Sequence, residues 1–129
     1  MLDIDNFKQL NDTKGHQIGD EFLIAFAKVI KKCFRDSDIV GRIGGDEFFV
    51  LMKNLSDVSI AEQKAQKILD AVKKITVEYE PLPLSVSVGV SMFPRCAKNF
   101  KDLYSSADKA LYKAKKIGKA VYIFAEPLK

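Results

Sequence analysis

The chain has 129 residues, 47% apolar and 29% charged, with a formal net charge of +4, which suits one domain built on one core. So small a positive excess admits a phosphate-bearing partner but does not argue for duplex nucleic acid, and no apolar run is long enough for direct membrane insertion. The opening "MLDIDNFKQL" has neither the basic nor the apolar region of a signal peptide, and Cys33 and Cys96 stand apart without a CxxC or His-rich setting, so a reduced, cytoplasmic chain is expected.

"MLDI" reads as the end of a strand. Residues 20–34 place Phe22, Leu23, Phe26, Val29, Ile30 and Cys33 on one helical face, with Cys33 as core filling. Residues 39–43 and 47–52 are two strands, and Gly44-Gly45 between them signals a hairpin. "SIAEQKAQKILDAVKK" is a second helix, with Ser59 and Glu62 spaced as a capping box. "PLSVSVGVSMF", residues 83–93, alternates as a half-buried strand does. "NFKDLYSSADKALYKAKKIG" is a third helix, with Leu103, Ala107, Ala110, Leu111 and Ala114 inward and Gly118 as its stop. "AVYIF" closes the chain as a strand. No repeat or linker interrupts a single domain over residues 1–129. The order β-α-β-β-α-β-α-β predicts an α+β fold, ferredoxin-like or palm-type, with a mostly antiparallel central sheet flanked by helices.

The acidic residues carry the chemistry. Asp3 and Asp5 end the first strand, and Asp46 and Glu47 sit at the hairpin tip. If the two strands are neighbours, roughly 5 Å apart, Asp3 and Asp46 can share a divalent ion. Carboxylate oxygens suit Mg²⁺, which keeps positions open for substrate phosphates. Taken alone, Asp46 and Glu47 are equally well explained as turn residues.

Four spaced blocks bear on that choice. "GGDEF" at Gly44 to Phe48, "DIDNFKQLNDTKGHQIGDEFL" upstream, and "SVSVGVS" and "SADKALYKAKKIGK" downstream resemble, in order, the conserved blocks of the GGDEF family of diguanylate cyclases. The resemblance covers essentially the whole chain. It implies a nucleotide cyclase-like palm fold and condensation of two GTP into cyclic di-GMP with release of two pyrophosphates. The enzyme would depend on Mg²⁺ or Mn²⁺ and work across a homodimer whose nucleotides face each other.

The resemblance also implies roles. Asp3, Asp46 and the backbone carbonyl of Ile4 match the metal ligands. Asp46 and Glu47 match the catalytic acids, Asp46 beside the 3′-proton and Glu47 as an accessory group. Asp5 stays open between a place at the site and a structural role. Asn11 and Asp20 match the guanine-reading pair; a carboxylate accepts from guanine N1–H and the 2-amino group, and an amide complements the remaining edge. Asp20 is also placed to cap the helix that starts there. Gly44 and Gly45 match nucleotide-binding positions, and Phe7, Lys8, Lys115 and Lys119 match phosphate positions. The family's last block usually reads Gly-Arg-Asn, whereas this chain reads Gly118-Lys119-Ala120, replacing a bidentate fork with a point charge. His16, between Gly15 and Gly19, is expected in a connecting loop.

"RDSD", Arg35 to Asp38, matches the family's RxxD inhibitory motif, where Arg35 would read guanine O6 and N7 and Asp38 the opposite edge. Its plainer explanation is a basic helix end followed by an acidic loop. Relatives carry a further helix and an Asp-x-Leu-Thr-Gly-type segment before the first strand, and a sensor domain; this chain is expected to be a domain lacking both. Alternatives to a cyclase are a catalytically weak cyclic di-GMP-binding signalling module and an RNA-binding sheet. The last would need aromatics on the central strands, and "SVSVGVSM" has none.

Overall fold

The computed structural model describes residues 1–78, 80–82 and 84–129. In chain order these form β1 (Leu2–Ile4), α1 (Phe7–Lys14), α2 (His16–Cys33), β2 (Ile39–Gly44), β3 (Glu47–Leu51), α3 (Val58–Val72), β4 (Thr76–Val77), β5 (Glu80–Pro81), β6 (Val86–Val90), α4 (Phe100–Ile117) and β7 (Tyr122–Phe124). Five strands make one sheet in the order β2-β3-β1-β6-β7, and β4 and β5 pair separately. Every neighbouring pair in the large sheet is antiparallel except β6 and β7, which run parallel. A parallel pair needs a crossover, and α4 supplies it. The expected α+β architecture is observed. Pro83, at the head of the expected strand 83–93, lies outside the described residues, and the strand itself runs from Val86 to Val90.

β1 lies at the centre because both of its apolar side chains are needed in the core: Leu2 and Ile4 are buried with Phe22, Phe26 and Ile30 of α2, Ile68 and Val72 of α3, and Phe48, Val86 and Val88 of the sheet. The Phe26 and Phe48 rings meet with centroids 4.9 Å apart. Val88 points into this core, and the next residue, Gly89, faces α4. Successive strand residues point to opposite faces, so helices cover the sheet on both sides. α4 comes close: a Cβ on Gly89 would stand 2.2 Å from the Ala107 carbonyl oxygen and 2.3 Å from the Leu111 nitrogen. Only glycine leaves room for that helix backbone.

Three local expectations are corrected. The segment before residue 20 is helical, not a loop. α1 is a separate short helix, and α2 begins at His16, so His16 is an exposed first-turn residue and Asp20 lies one turn inside the helix and does not cap it. α3 is capped by Asp57, whose Oδ1 accepts from the Ser59 amide at 2.9 Å, and it starts at Val58; the Ser59–Glu62 capping box does not form. Asp57 is extended, as an N-cap should be, one residue ahead of the helix. At α4 the Asn99 side chain caps in the same way, accepting from the Asp102 amide at 2.8 Å, and Gly118 ends the helix as expected.

Candidate functional site

β1 and β3 are direct neighbours, with Asp3 opposite Glu47. The hairpin folds back so that the Ile4 amide donates to the Asp46 carbonyl at 3.1 Å. The condition set by the sequence is therefore met: Asp3, Asp46 and Glu47 collect at one end of the central strands. The Asp3 carboxyl is largely buried. Its Oδ2 lies 3.5 Å from Lys115 Nζ, while its Oδ1 is buried with no hydrogen-bond partner among the described residues. Burial pushes the Asp3 carboxyl up and Lys115 pulls it back. The charge and contact of Asp46, with Glu47 behind it, raise it further, to about 6 from an ordinary 3.8. Two ionised carboxylates have no proton to give each other, so in that state Oδ1 stays unsatisfied.

Asp5 has the opposite environment. Its side chain is fully buried, and its oxygens accept from Ser85 Oγ at 2.6 Å, Ser87 Oγ at 2.7 Å, Lys115 Nζ at 2.6 Å and the Ala120 amide at 3.1 Å. Burial alone would push this carboxyl up, but the hydrogen bonds from Lys115, Ser85 and Ser87 and the Lys115 charge outweigh it, and the net shift is downward. Asp5 is thus the joint between β1, β6 and the turn after α4. Lys115, expected at a phosphate, is the cation that holds this joint and touches Asp3.

The other phosphate candidates divide. Phe7 is buried in the core, which leaves only its backbone for a ligand, and Lys8 is exposed. They open α1, whose N-cap, Asn6, is left-handed and gives no side-chain cap. Lys119 Nζ reaches Asn6 Oδ1 at 3.0 Å, which brings a positive charge to the same helix end. Asn11 is half-buried on α1 and packs on Gly19 of α2, one residue before the exposed Asp20. Gly44 ends β2 opposite Glu47, the hairpin turn is made by Gly45 and Asp46, both glycines are exposed, and Arg42 Nε donates to the Gly45 carbonyl at 3.0 Å.

Arg35 and Asp38 sit elsewhere, on a cavity of about 830 Å³ between α2 and the edge strand β2, lined also by Leu23, Ile24, Ile39 and Arg42. Asp38 is not presented to this cavity as a free acid. Its side chain is fully buried and accepts from the Arg35 amide at 3.0 Å, Arg35 Nε at 3.4 Å, Arg35 Nη2 at 3.2 Å and the Lys53 amide at 3.3 Å. Burial pushes its carboxyl up, and these hydrogen bonds together bring it below the ordinary value. The Arg35 side chain, half exposed, also donates to the Lys53 carbonyl. Asp38 therefore holds Arg35 in place.

Ser85, Ser87, Ala120, Gly19 and Arg42 were not singled out as site residues from the sequence. The alternation of "SVSV" does put Ser85 and Ser87 on one face, two residues apart, which is the signal for a shared polar partner. Among the described residues, no three His, Cys, Asp or Glu side chains are gathered closely enough to ligate an ion by themselves, and no helix is long and apolar enough to cross a membrane.

A family model described as "Diguanylate cyclase, GGDEF domain" matches residues 1–120. The chain belongs to the GGDEF-domain family. Diguanylate cyclase A of Treponema denticola is 40% identical over 121 residues, covering 92% of this chain and 32% of that protein. The solved GGDEF domain of YfiN (TpbB) from Pseudomonas aeruginosa superposes with a TM-score of 0.92 at 32% identity, covering 98% of this chain and 80% of that one. The GGDEF domain also matches, at 36% identity over 120 residues and 92% of its length, 15% of the cyclic di-GMP phosphodiesterase NbdA of the same organism. The chain thus spans about a third or less of the curated relatives it matches, and those relatives bear names of more than one activity.

Proposed function

We propose that this GGDEF domain is a diguanylate cyclase, condensing two GTP into cyclic di-GMP with release of two pyrophosphates. The observation that carries the proposal is Asp3 at the strand end with Asp46 and Glu47: a buried, unpartnered carboxylate oxygen and a carboxyl raised first by burial and then by its acidic neighbours. Hard oxygen donors of one sign at a strand end fit Mg²⁺ or Mn²⁺. Such an ion needs only one or two protein carboxylates because waters and substrate phosphates complete its shell. Asp3, Asp46 and the Ile4 carbonyl are its assigned ligands. A divalent ion held there supplies charge neutralisation at the α-phosphate and the departing pyrophosphate.

The chain's own residues do the rest. Asp46 stands next to the 3′-hydroxyl to be deprotonated, with Glu47 as accessory acid. The uncapped amides that open α1 at Phe7 and Lys8, with the Lys119 ammonium beside them, take phosphate oxygens. Asn11 and Asp20 read the guanine. A second copy faces the first with its own GTP, because each 3′-hydroxyl must reach the other's α-phosphate. A sensor domain as partner would govern that pairing. Arg35, locked by Asp38 at the α2–β2 cavity, holds the product and restrains turnover.

The test is incubation with GTP and Mg²⁺ followed by chromatography. Formation of cyclic di-GMP supports the cyclase, and its absence despite tight cyclic di-GMP binding favours the alternative, a signalling module that binds the product without making it. Selectivity gives an independent check. GTP is expected to bind at least tenfold better than ATP, and Asp20→Ala to remove most of that difference, since a carboxylate that the wrong base covers without pairing is what rejects that base. Equal affinity of the parent for the two nucleotides refutes the guanine pair. At the second cavity, Arg35→Ala is expected to weaken cyclic di-GMP binding at least tenfold by calorimetry, as loss of a bidentate guanine contact should. Unchanged binding would leave Arg35 as a helix-end charge.

A further inference from the structure

Gly19 lies buried inside α2, where its backbone is helical and no turn calls for glycine. Glycine is among the poorest residues for a helix interior, so its presence asks for a reason. The reason is visible across the α1–α2 contact. A Cβ on Gly19 would stand 1.8 Å from Asn11 Oδ1, inside any real contact distance, and 3.0 Å from Asn11 Cγ, a tight one. Both atoms belong to the amide of Asn11. A third neighbour, Phe7 Cζ, is at an ordinary 3.4 Å, so the crowding is specific to that amide.

Asn11 Oδ1 is itself buried and has no hydrogen-bond partner among the described residues. A buried orphan acceptor costs free energy. Nothing in the α1–α2 packing rewards the amide for being there, whereas an alanine at position 11 would pack without that cost. The room at Gly19 is therefore kept for an amide that serves something other than the fold. The residue after Gly19 on α2 is the exposed Asp20, the other member of the assigned pair.

We infer that Gly19 is a positioning residue for base selection: it seats the Asn11 amide beside Asp20, so that the two present one composite edge to the base. The inference rests on the assignment of Asn11 and Asp20 as the guanine-reading pair. Any side chain at position 19 drives the Asn11 amide out of its seat, and the domain loses discrimination without losing its phosphate or metal residues.

The experiment is calorimetric titration of GTP and ATP into the parent domain, Gly19→Ala, Asn11→Ala and the double variant, with melting temperatures for all four. Gly19→Ala and Asn11→Ala are each expected to cut the GTP-to-ATP affinity ratio about tenfold, and the double variant to cut it no further than either single change. The melting temperature should fall in Gly19→Ala and recover in the double variant, because alanine at position 11 returns the space. If Gly19→Ala keeps the parent's ratio while Asn11→Ala loses it, the positioning role is overturned and the guanine pair stands. If the parent does not discriminate, the guanine pair falls and the inference falls with it. Should Gly19→Ala fail to fold, a folded double variant supports the seat, and an unfolded one overturns it.

Discussion

Asp46→Asn should reduce cyclic di-GMP synthesis by about three orders of magnitude while leaving the melting temperature of the metal-free domain unchanged or raised. The expected size is at the upper end of what one misplaced electrostatic group costs a reaction that develops charge. An amide keeps the shape of the hairpin tip, and the hydrogen bond from the Ile4 amide of β1 to the Asp46 backbone carbonyl is one the substitution does not touch. What it removes is one of the two side-chain charges assigned to the cation. It also removes a neighbour that raises the Asp3 carboxyl, so in the variant Asp3 should titrate closer to its ordinary 3.8 than the parent's value of about 6. Turnover by chromatography, melting by calorimetry and the Asp3 titration by NMR read three separate consequences. Unchanged turnover would end the assignment of Asp46 to the metal. Lost turnover with a collapsed melting temperature would make Asp46 a fold residue.

The hairpin and α4 were legible in the sequence because each carries its own local signal. Gly44 and Gly45 mark a turn between two apolar runs, and Ala107, Ala110, Leu111 and Ala114 recur at helical spacing ahead of Gly118. α1 carries almost none. Only Phe7 and Leu10 of its eight residues are buried, and the rest are polar, so a two-residue stripe looks like a loop. For the same reason the sequence shows α2 only from residue 20: His16, Gln17 and Gly19 contribute nothing to an apolar face, although the helix runs through them.

The site was legible in its members and not in its connections. Asp3 and Asp46 could be brought together from the sequence because a hairpin and one strand pairing suffice. The fate of Asp5 depended on Ser85, Ser87 and Lys115, which lie 80, 82 and 110 residues away along the chain. Nothing local announces such partners. Asp38 is the same case on a smaller scale. "RDSD" suggests an exposed pair, and only the approach of Lys53 from the end of β3 shows that the carboxylate is buried and already engaged.

Asp5→Ala should destabilise the domain by about 3 kcal/mol at pH 7, the lower end of the cost of breaking a buried ion pair. The lower end applies because Lys115 keeps part of its side chain in solvent and retains Asp3 nearby at 3.5 Å. The Ser85 and Ser87 hydroxyls and the Ala120 amide lose their acceptor at the same time, and Ser87 is fully buried. The pH dependence gives the charge its own signature. The folded pKa of Asp5 is depressed, so its contribution is complete above the unfolded value near 3.8 and is lost as the pH falls through the folded value. Asp3 has the opposite sign: its folded pKa is raised to about 6, so in the metal-free domain it adds stability at low pH and loses it as the pH rises from about 4 through 6. The two are told apart by the opposite direction of their pH dependence. Denaturant midpoints of the parent and Asp5→Ala should stay well apart between pH 4 and 7 and converge below pH 4 as the parent's Asp5 becomes protonated. A gap under 1 kcal/mol at pH 7, or one that does not narrow in acid, would mean that the Asp5 charge does not fasten β1 to β6 and the turn after α4.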